Sequence, residues 1–279
     1  MNNTTKLLAI PAIAFTHAIC MPGTALAADG LSVSAGYEYS NGNYGGVDST
    51  RIWSVPVSVA YNYGPVGLKI TVPYLNVTGP GNVVPGIAAP VVDRRRGASK
   101  PEDGTTTTTT TGSTQGASTT NEGVGDVVLS GTWRFLDQPD GWGLAINGKV
   151  KLPTADENKN LGTGRTDYST QLELDREWGK FTPFLTVGYR WLGDTSTTDF
   201  NNTWFTDTGV DYRLFDKTTV GLAFYWAQAS AAGNSNAADI TLSIAQKFGD
   251  AYKLQLYVLR GIADGSPDWG AGVTLTYRF

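Results

Sequence analysis

The sequence predicts an all-β chain: a transmembrane, antiparallel, up-and-down β-barrel of twelve strands. Three observations carry this. Apolar residues alternate with small or polar ones in segments of about 11 residues, which suits a tilted membrane strand better than a soluble strand of about five or six. The connections between segments are alternately short and long. Aromatic residues gather at both ends of the apolar faces, with aliphatic residues between them.

The segments run 31–39, 52–63, 66–77, 124–136, 142–153, 166–177, 181–192, 204–215, 218–230, 238–248, 252–261 and 268–279. Connections after the even segments are short, such as Gly64-Pro65 and Asp216-Lys217. Those after the odd segments are longer: 40–51, 78–123, 154–165, 193–203, 231–237 and 262–267. Short turns mark the periplasmic end of an outer-membrane barrel, and an even count brings both termini there. Within 238–248, Ile240, Leu242, Ile244 and Phe248 share one face, while Asp239, Thr241, Ser243 and Lys247 share the other. A soluble sandwich would alternate too, but its aromatics would sit mid-strand. Here Tyr61, Phe135, Trp142, Phe181, Tyr212 and Tyr252 fall at one end, and Trp53, Tyr74, Tyr168, Trp191, Trp204, Trp226 and Trp269 at the other. Val57, Ile70, Leu144, Leu185 and Leu256 lie between. Arg176 and Arg260 break the lipid face near strand ends, where a long side chain can snorkel. Pro56 and Pro73 remove ladder donors, so bulges or register shifts are expected there.

Residues 1–27 read as a cleaved signal peptide. Lys6 provides the positive n-region, Leu7 to Ile19 a short apolar core, and Ala25-Leu26-Ala27 the cleavage site. His17 and Cys20 are the chain's single His and Cys, and both leave with this segment. The expected mature chain, 28–279, holds 20 Lys and Arg (the chain's 21 less Lys6) against 25 Asp and Glu, a formal net charge of −5. Without His or Cys it can form no disulfide, no Cys/His metal site and no imidazole-dependent catalytic triad. No cofactor and no metal or catalytic residue is expected.

Trp269, Ala271, Val273, Leu275, Tyr277 and Phe279 share one face of the last segment. A terminal Phe279 with Tyr277 two residues before it resembles the C-terminal assembly signal of outer-membrane barrels, which implies the barrel-assembly machinery as a partner.

Three motifs follow in order: Gly123-Val124-Gly125-Asp126, then Gly148-Lys149-Val150-Lys151-Leu152-Pro153-Thr154, then Leu161-Gly162-Thr163-Gly164-Arg165-Thr166-Asp167. Together they resemble the outer-membrane β-barrel porins grouped under the meta-pathway of phenol degradation. Ala155 stands where that family often has Gly, and the Thr-rich insert is unlike its usual pattern. The resemblance implies a small barrel and transport across the outer membrane of a Gram-negative bacterium. From the residues alone, Gly162 and Gly164 permit a tight loop, and Asp167 is expected at the lumen mouth close to Lys149 or Lys151.

Strand parity directs charged residues of both signs inward: Glu38, Lys69, Arg134, Lys149, Lys151, Asp167, Glu173, Asp175, Glu177, Arg190, Asp207, Asp211, Arg213, Asp239, Lys247, Lys253 and Arg278. They form either a self-neutralising interior or a charge-lined channel. Twelve strands lie between the filled eight-stranded barrels and the wet 16- to 18-stranded ones. Glu173, Asp175 and Glu177 share one face, as a salt-bridged ladder or a cation-attracting exit. Phe184, Phe205, Tyr225 and Tyr257 also point inward, as filler or as a patch for aromatic or aliphatic solutes.

The 78–123 connection carries Arg94-Arg95-Arg96 and the tract Thr105 to Thr111. It is expected to be an extracellular low-complexity loop, either a solvated charge, a lipopolysaccharide contact or a gate. The expected activity is passive uptake of small solutes, with aromatic or hydrophobic compounds as candidates. Expected partners are those solutes, outer-membrane lipid and lipopolysaccharide, and no nucleic acid. The rival readings are a non-conducting barrel for adhesion or envelope integrity, and an outer-membrane hydrolase, which the missing His and Cys oppose.

Overall fold

The computed structural model describes residues 29–46, 48–81, 83–86, 91–92, 118–196 and 198–279. Residues 1–27 (expected to be a signal peptide), Arg94 to Arg96 and Thr105 to Thr111 lie outside them. The strands are β1 (Gly30–Gly42), β2 (Thr50–Tyr63), β3 (Val66–Gly79), β4 in two pieces (Thr119–Val124 and Val127–Asp137), β5 (Trp142–Leu152) and β6 (Asp167–Arg176). They continue as β7 (Phe181–Trp191), β8 (Thr203–Phe215), β9 (Thr218–Ala227), β10 (Ala237–Phe248), β11 (Tyr252–Gly261) and β12 (Trp269–Arg278). Each pairs antiparallel with its sequence neighbours, and β1 pairs with β12 from Ser32↔Arg278 to Asn41↔Trp269, which closes the barrel. Among the described residues the only helical element is one 3₁₀ turn, Glu157–Lys159, and no helix is long and apolar enough to cross a membrane.

The outer wall is apolar and open. Leu68, Leu222, Leu242 and Val258 are each more than half exposed. A closed wall satisfies every ladder hydrogen bond internally, so lipid can cover such side chains without stranding backbone polar groups. Rings pair around both rims. Tyr39 stacks near Trp269 at 4.9 Å and Tyr189 near Trp204 at 4.9 Å on the long-loop side. Phe181–Tyr212 and Tyr277–Phe279, both at 4.8 Å, lie on the short-turn side. Arg176 lies over the ring of its cross-strand partner Trp142, 5.1 Å from the centroid. Its exposed position is thus held by a cation–π contact within the aromatic rim.

Two expectations change. The β2–β3 register runs unbroken through the directly paired Pro56 and Pro73. The missing N–H groups fall on the flanking ladders instead: no pairs join Gly36 and Tyr37 to Val55 and Pro56, and Gly125-Asp126 interrupts β4 beside Pro73. The register shifts occur elsewhere, between Arg134 and Leu136 and between Arg213 and Phe215. Strand β4 also begins earlier than the predicted residue 124. Thr119 to Val124 pair with Gly79 to Tyr74, and Thr78 and Thr120 share a 2.9 Å hydroxyl hydrogen bond. Threonine is β-branched and suits a pleated strand once a partner strand is present.

Candidate functional site

The inward face of the barrel begins at a buried polar node under the long loops. Lys151 at the end of β5 reaches Asp167 Oδ2 of β6 at 2.8 Å, Asp126 Oδ2 at 3.0 Å and Thr163 Oγ1 at 2.8 Å. Lys151, Asp126 and Asp167 are each only 1% exposed. The second oxygens of the two carboxylates tie down loops: Asp126 accepts the Ala155 N–H at 3.0 Å, and Asp167 accepts the Gly193 N–H at 3.0 Å. Thr154 accepts the Val127 N–H at 2.9 Å and donates to the Gly125 carbonyl at 3.2 Å. Gly162 passes so close to Asp126 that a Cβ there would meet the carboxylate at 2.6 Å. The three sequence motifs therefore fold into one node. Asp167 pairs with Lys151, its direct cross-strand partner, while Lys149 stands opposite Ser169.

Beside the node, Leu161 packs with Tyr44, Ile52, Leu75, Val77 and Val83 in a small apolar core inside the mouth. Leu161 gets there because the node pins the loop on both sides of it. Burial pushes the Tyr44 phenol up from its ordinary pKa.

Deeper in, charges of both signs share the interior. Glu173, Asp207, Asp211 and Asp239, on β6, β8 and β10, lie in one field with Lys149: the charges acting on Asp207 are Asp239, Asp211, Glu173 and Lys149. Lys69 on β3 lies in the field of Lys149 on β5, Glu38 on β1 and Lys253 on β11, and Lys253 lies in turn in that of Asp211. Glu38 accepts from Ser54 at 3.3 Å. Arg134 of β4 reaches across β5 to Asp175 of β6 at 3.0 Å. That bridge is open because the intervening residue is Gly143; any side chain there would run into both charged groups. Glu173 accepts instead from Gln171 on its own strand at 2.7 Å. The Glu173, Asp175, Glu177 row is therefore not one ladder of salt bridges. At the short-turn end, half-buried Lys247 lies in the field of Arg213 and Arg278. Arg213 is exposed, and Glu177 is half-buried just beyond β6.

The four inward aromatics are all buried. Phe184, Phe205 and Tyr257 each stand directly opposite a glycine, Gly209, Gly188 and Gly272 respectively. A Cβ on any of these glycines would collide with the ring opposite. The rings therefore lie against the wall in the space a side chain would fill, rather than across the barrel axis. Tyr225 stands between Asp207 and Asp239 in a cross-strand row, with the Phe205 ring 6.3 Å away. Arg190 lies over Phe205, 5.4 Å from its centroid, and donates to Thr203 at 3.1 Å.

Sequence reasoning missed Asp126, Thr163 and Leu161 as mouth residues, although all three sit inside the quoted motifs. It also missed the glycines beneath the rings, which a cross-strand register would have found.

Residues 77–279 match the model of the family described as "Putative MetA-pathway of phenol degradation". Among solved structures, an outer-membrane channel from Pseudomonas putida F1 aligns with a TM-score of 0.63 at 14% identity, over 91% of this chain and 97% of that one. The KdgM porin aligns with a TM-score of 0.51 at 9% identity, over 89% and 99%. These likenesses are of fold, that of an outer-membrane β-barrel. Comparison with curated protein sequences finds no match. The matched span contains the complete Asp126–Lys151–Asp167 node and strands β4 to β12, and the chain belongs to this phenol-degradation MetA-pathway family.

Proposed function

We propose that the protein is a passive channel in the outer membrane of a Gram-negative bacterium, exported by its N-terminal signal, that admits small solutes including planar aromatic ones. One observation carries this reading: charged residues of both signs line the inner wall of a closed twelve-stranded barrel, among them Lys69, Lys149 and Lys253 on β3, β5 and β11 and Glu173, Asp207, Asp211 and Asp239 on β6, β8 and β10. Charges of both signs along the inner wall suit a path for polar solutes, where an apolar wall would not. The match to the family described by phenol degradation supports aromatic compounds among them.

The test is single-channel recording of the refolded chain 28–279 in planar bilayers, with and without residues 94–117, a deletion that stops short of β4. Steady conductance in the full-length form is expected. Silence in both forms would overturn the reading. In the conducting protein, Lys149→Glu removes one lysine from a three-lysine cluster and adds an acid. Its reversal potential in a salt gradient should move toward cation selectivity.

A second reading, a barrel that displays its loops, is favoured by one feature. The apolar core around Leu161 covers part of the mouth. Conductance appearing only after loop deletion would reconcile the two, with the loop as a gate.

A further inference from the structure

We propose that the row Asp207–Tyr225–Asp239, with the Phe205 ring beside it, is a binding site for a small organic cation of the ammonium class, just inside the extracellular mouth. The inference rests on the channel reading only in that solutes must reach the lumen.

Four observations converge. Asp207, Tyr225 and Asp239 are direct cross-strand partners on β8, β9 and β10, so their side chains leave the wall side by side. Asp207 is 5% exposed, and its Oδ1 has no hydrogen-bond partner. A buried carboxylate oxygen without a donor is costly, and a cation seated against it would remove that cost. No lysine or arginine lies within ion-pair distance of Asp207 among the described residues. Arg190 is committed to Thr203 and the Phe205 ring, with no carboxylate within ion-pair distance among the described residues.

The aromatic components settle the class of cation. Phe205 and Tyr225 are 6.3 Å apart with planes 31° apart, so neighbouring ring surfaces adjoin the acids. Ring faces attract a diffuse organic cation, and carboxylates attract its charge. Arg190 already lies over Phe205, so the ring contact for the incoming cation is with Tyr225. A bare metal ion fits poorly, because among the described residues no three acids converge closely enough to hold one. The position also suits capture. Ser266 of the β11–β12 loop approaches Asp239 at 3.5 Å, so the row lies directly beneath an extracellular loop.

The experiment is calorimetric titration of benzyltrimethylammonium into the refolded barrel in detergent, with benzyl alcohol as the neutral control and sodium chloride as competitor. Variants are Asp207→Asn, Tyr225→Leu and, in a periplasmic turn, Asp216→Asn. Heat-modifiable gel mobility reports folding of each; if Asp207→Asn does not fold, Asp239→Asn replaces it. Saturable binding of the ammonium but not the alcohol is expected. It should weaken at least tenfold in Asp207→Asn and severalfold in Tyr225→Leu, and be unchanged in Asp216→Asn. Equal binding by wild type and Asp207→Asn would overturn the site. Absence of binding by a preparation that conducts in bilayers would overturn it while leaving the channel intact. Absence of both would overturn the two readings together.

Discussion

Lys151→Met is expected to be the most damaging single substitution at the barrel mouth. It leaves Asp126 and Asp167 facing each other in a space where each is 1% exposed. Removing one partner from a buried ion pair typically costs about 3–5 kcal/mol, since the remaining charge is stranded. Here two charges lose the same partner. Both hold loops through their other oxygen, so the β5–β6 loop and Leu161 should come free of the mouth. Urea unfolding of the refolded barrel should show the loss directly. Adding Asp126→Asn and Asp167→Asn to the same chain should recover part of it, because neutral amides tolerate the missing lysine. A loss below about 1 kcal/mol, the scale of an exposed surface pair, would show that the node is solvated rather than buried.

Gly188→Val is expected to act on conductance as well as stability. The Phe205 ring occupies the place where the valine side chain must go. The ring has backbone behind it and Arg190 over it on the lumen side, so it should swing inward against that guanidinium. Overpacking of this kind costs about 1–3 kcal/mol. The displaced ring should also narrow the path and release Arg190, which now lies over it. Single-channel conductance should fall in Gly188→Val and return in Gly188→Val with Phe205→Ala. Unchanged conductance in the single variant would mean that the ring already stands in the lumen and that the glycine serves some other purpose.

Both predictions concern residues whose role was only half readable from the chain. Lys151 was visible as an inward charge, with Asp167 expected close to it or to Lys149, but Asp126 was not seen as its second partner. Asp126 sits in the break of β4, which lies two ladders from the Asp167 strand, with Lys151 of β5 between them. Gly188 looked like an ordinary strand glycine until the β7–β8 register put Phe205 opposite it. The same holds for Arg134 and Asp175, separated by 41 positions and joined across a strand only because Gly143 has no side chain.

What the chain declared unaided was its relation to lipid. Strand number, inward and outward faces and the two aromatic rims depend on a period of two and on the chemistry of a flat solvent layer, and each residue reports these locally. Ile240, Leu242 and Ile244 would face lipid beside almost any neighbour. The interior follows another logic. Which lysine meets which acid, which glycine takes a ring and where a loop docks all depend on strand stagger, which sets residues of distant segments at the same height. Stagger is a property of the closed barrel, so those pairings emerged only when β1 met β12.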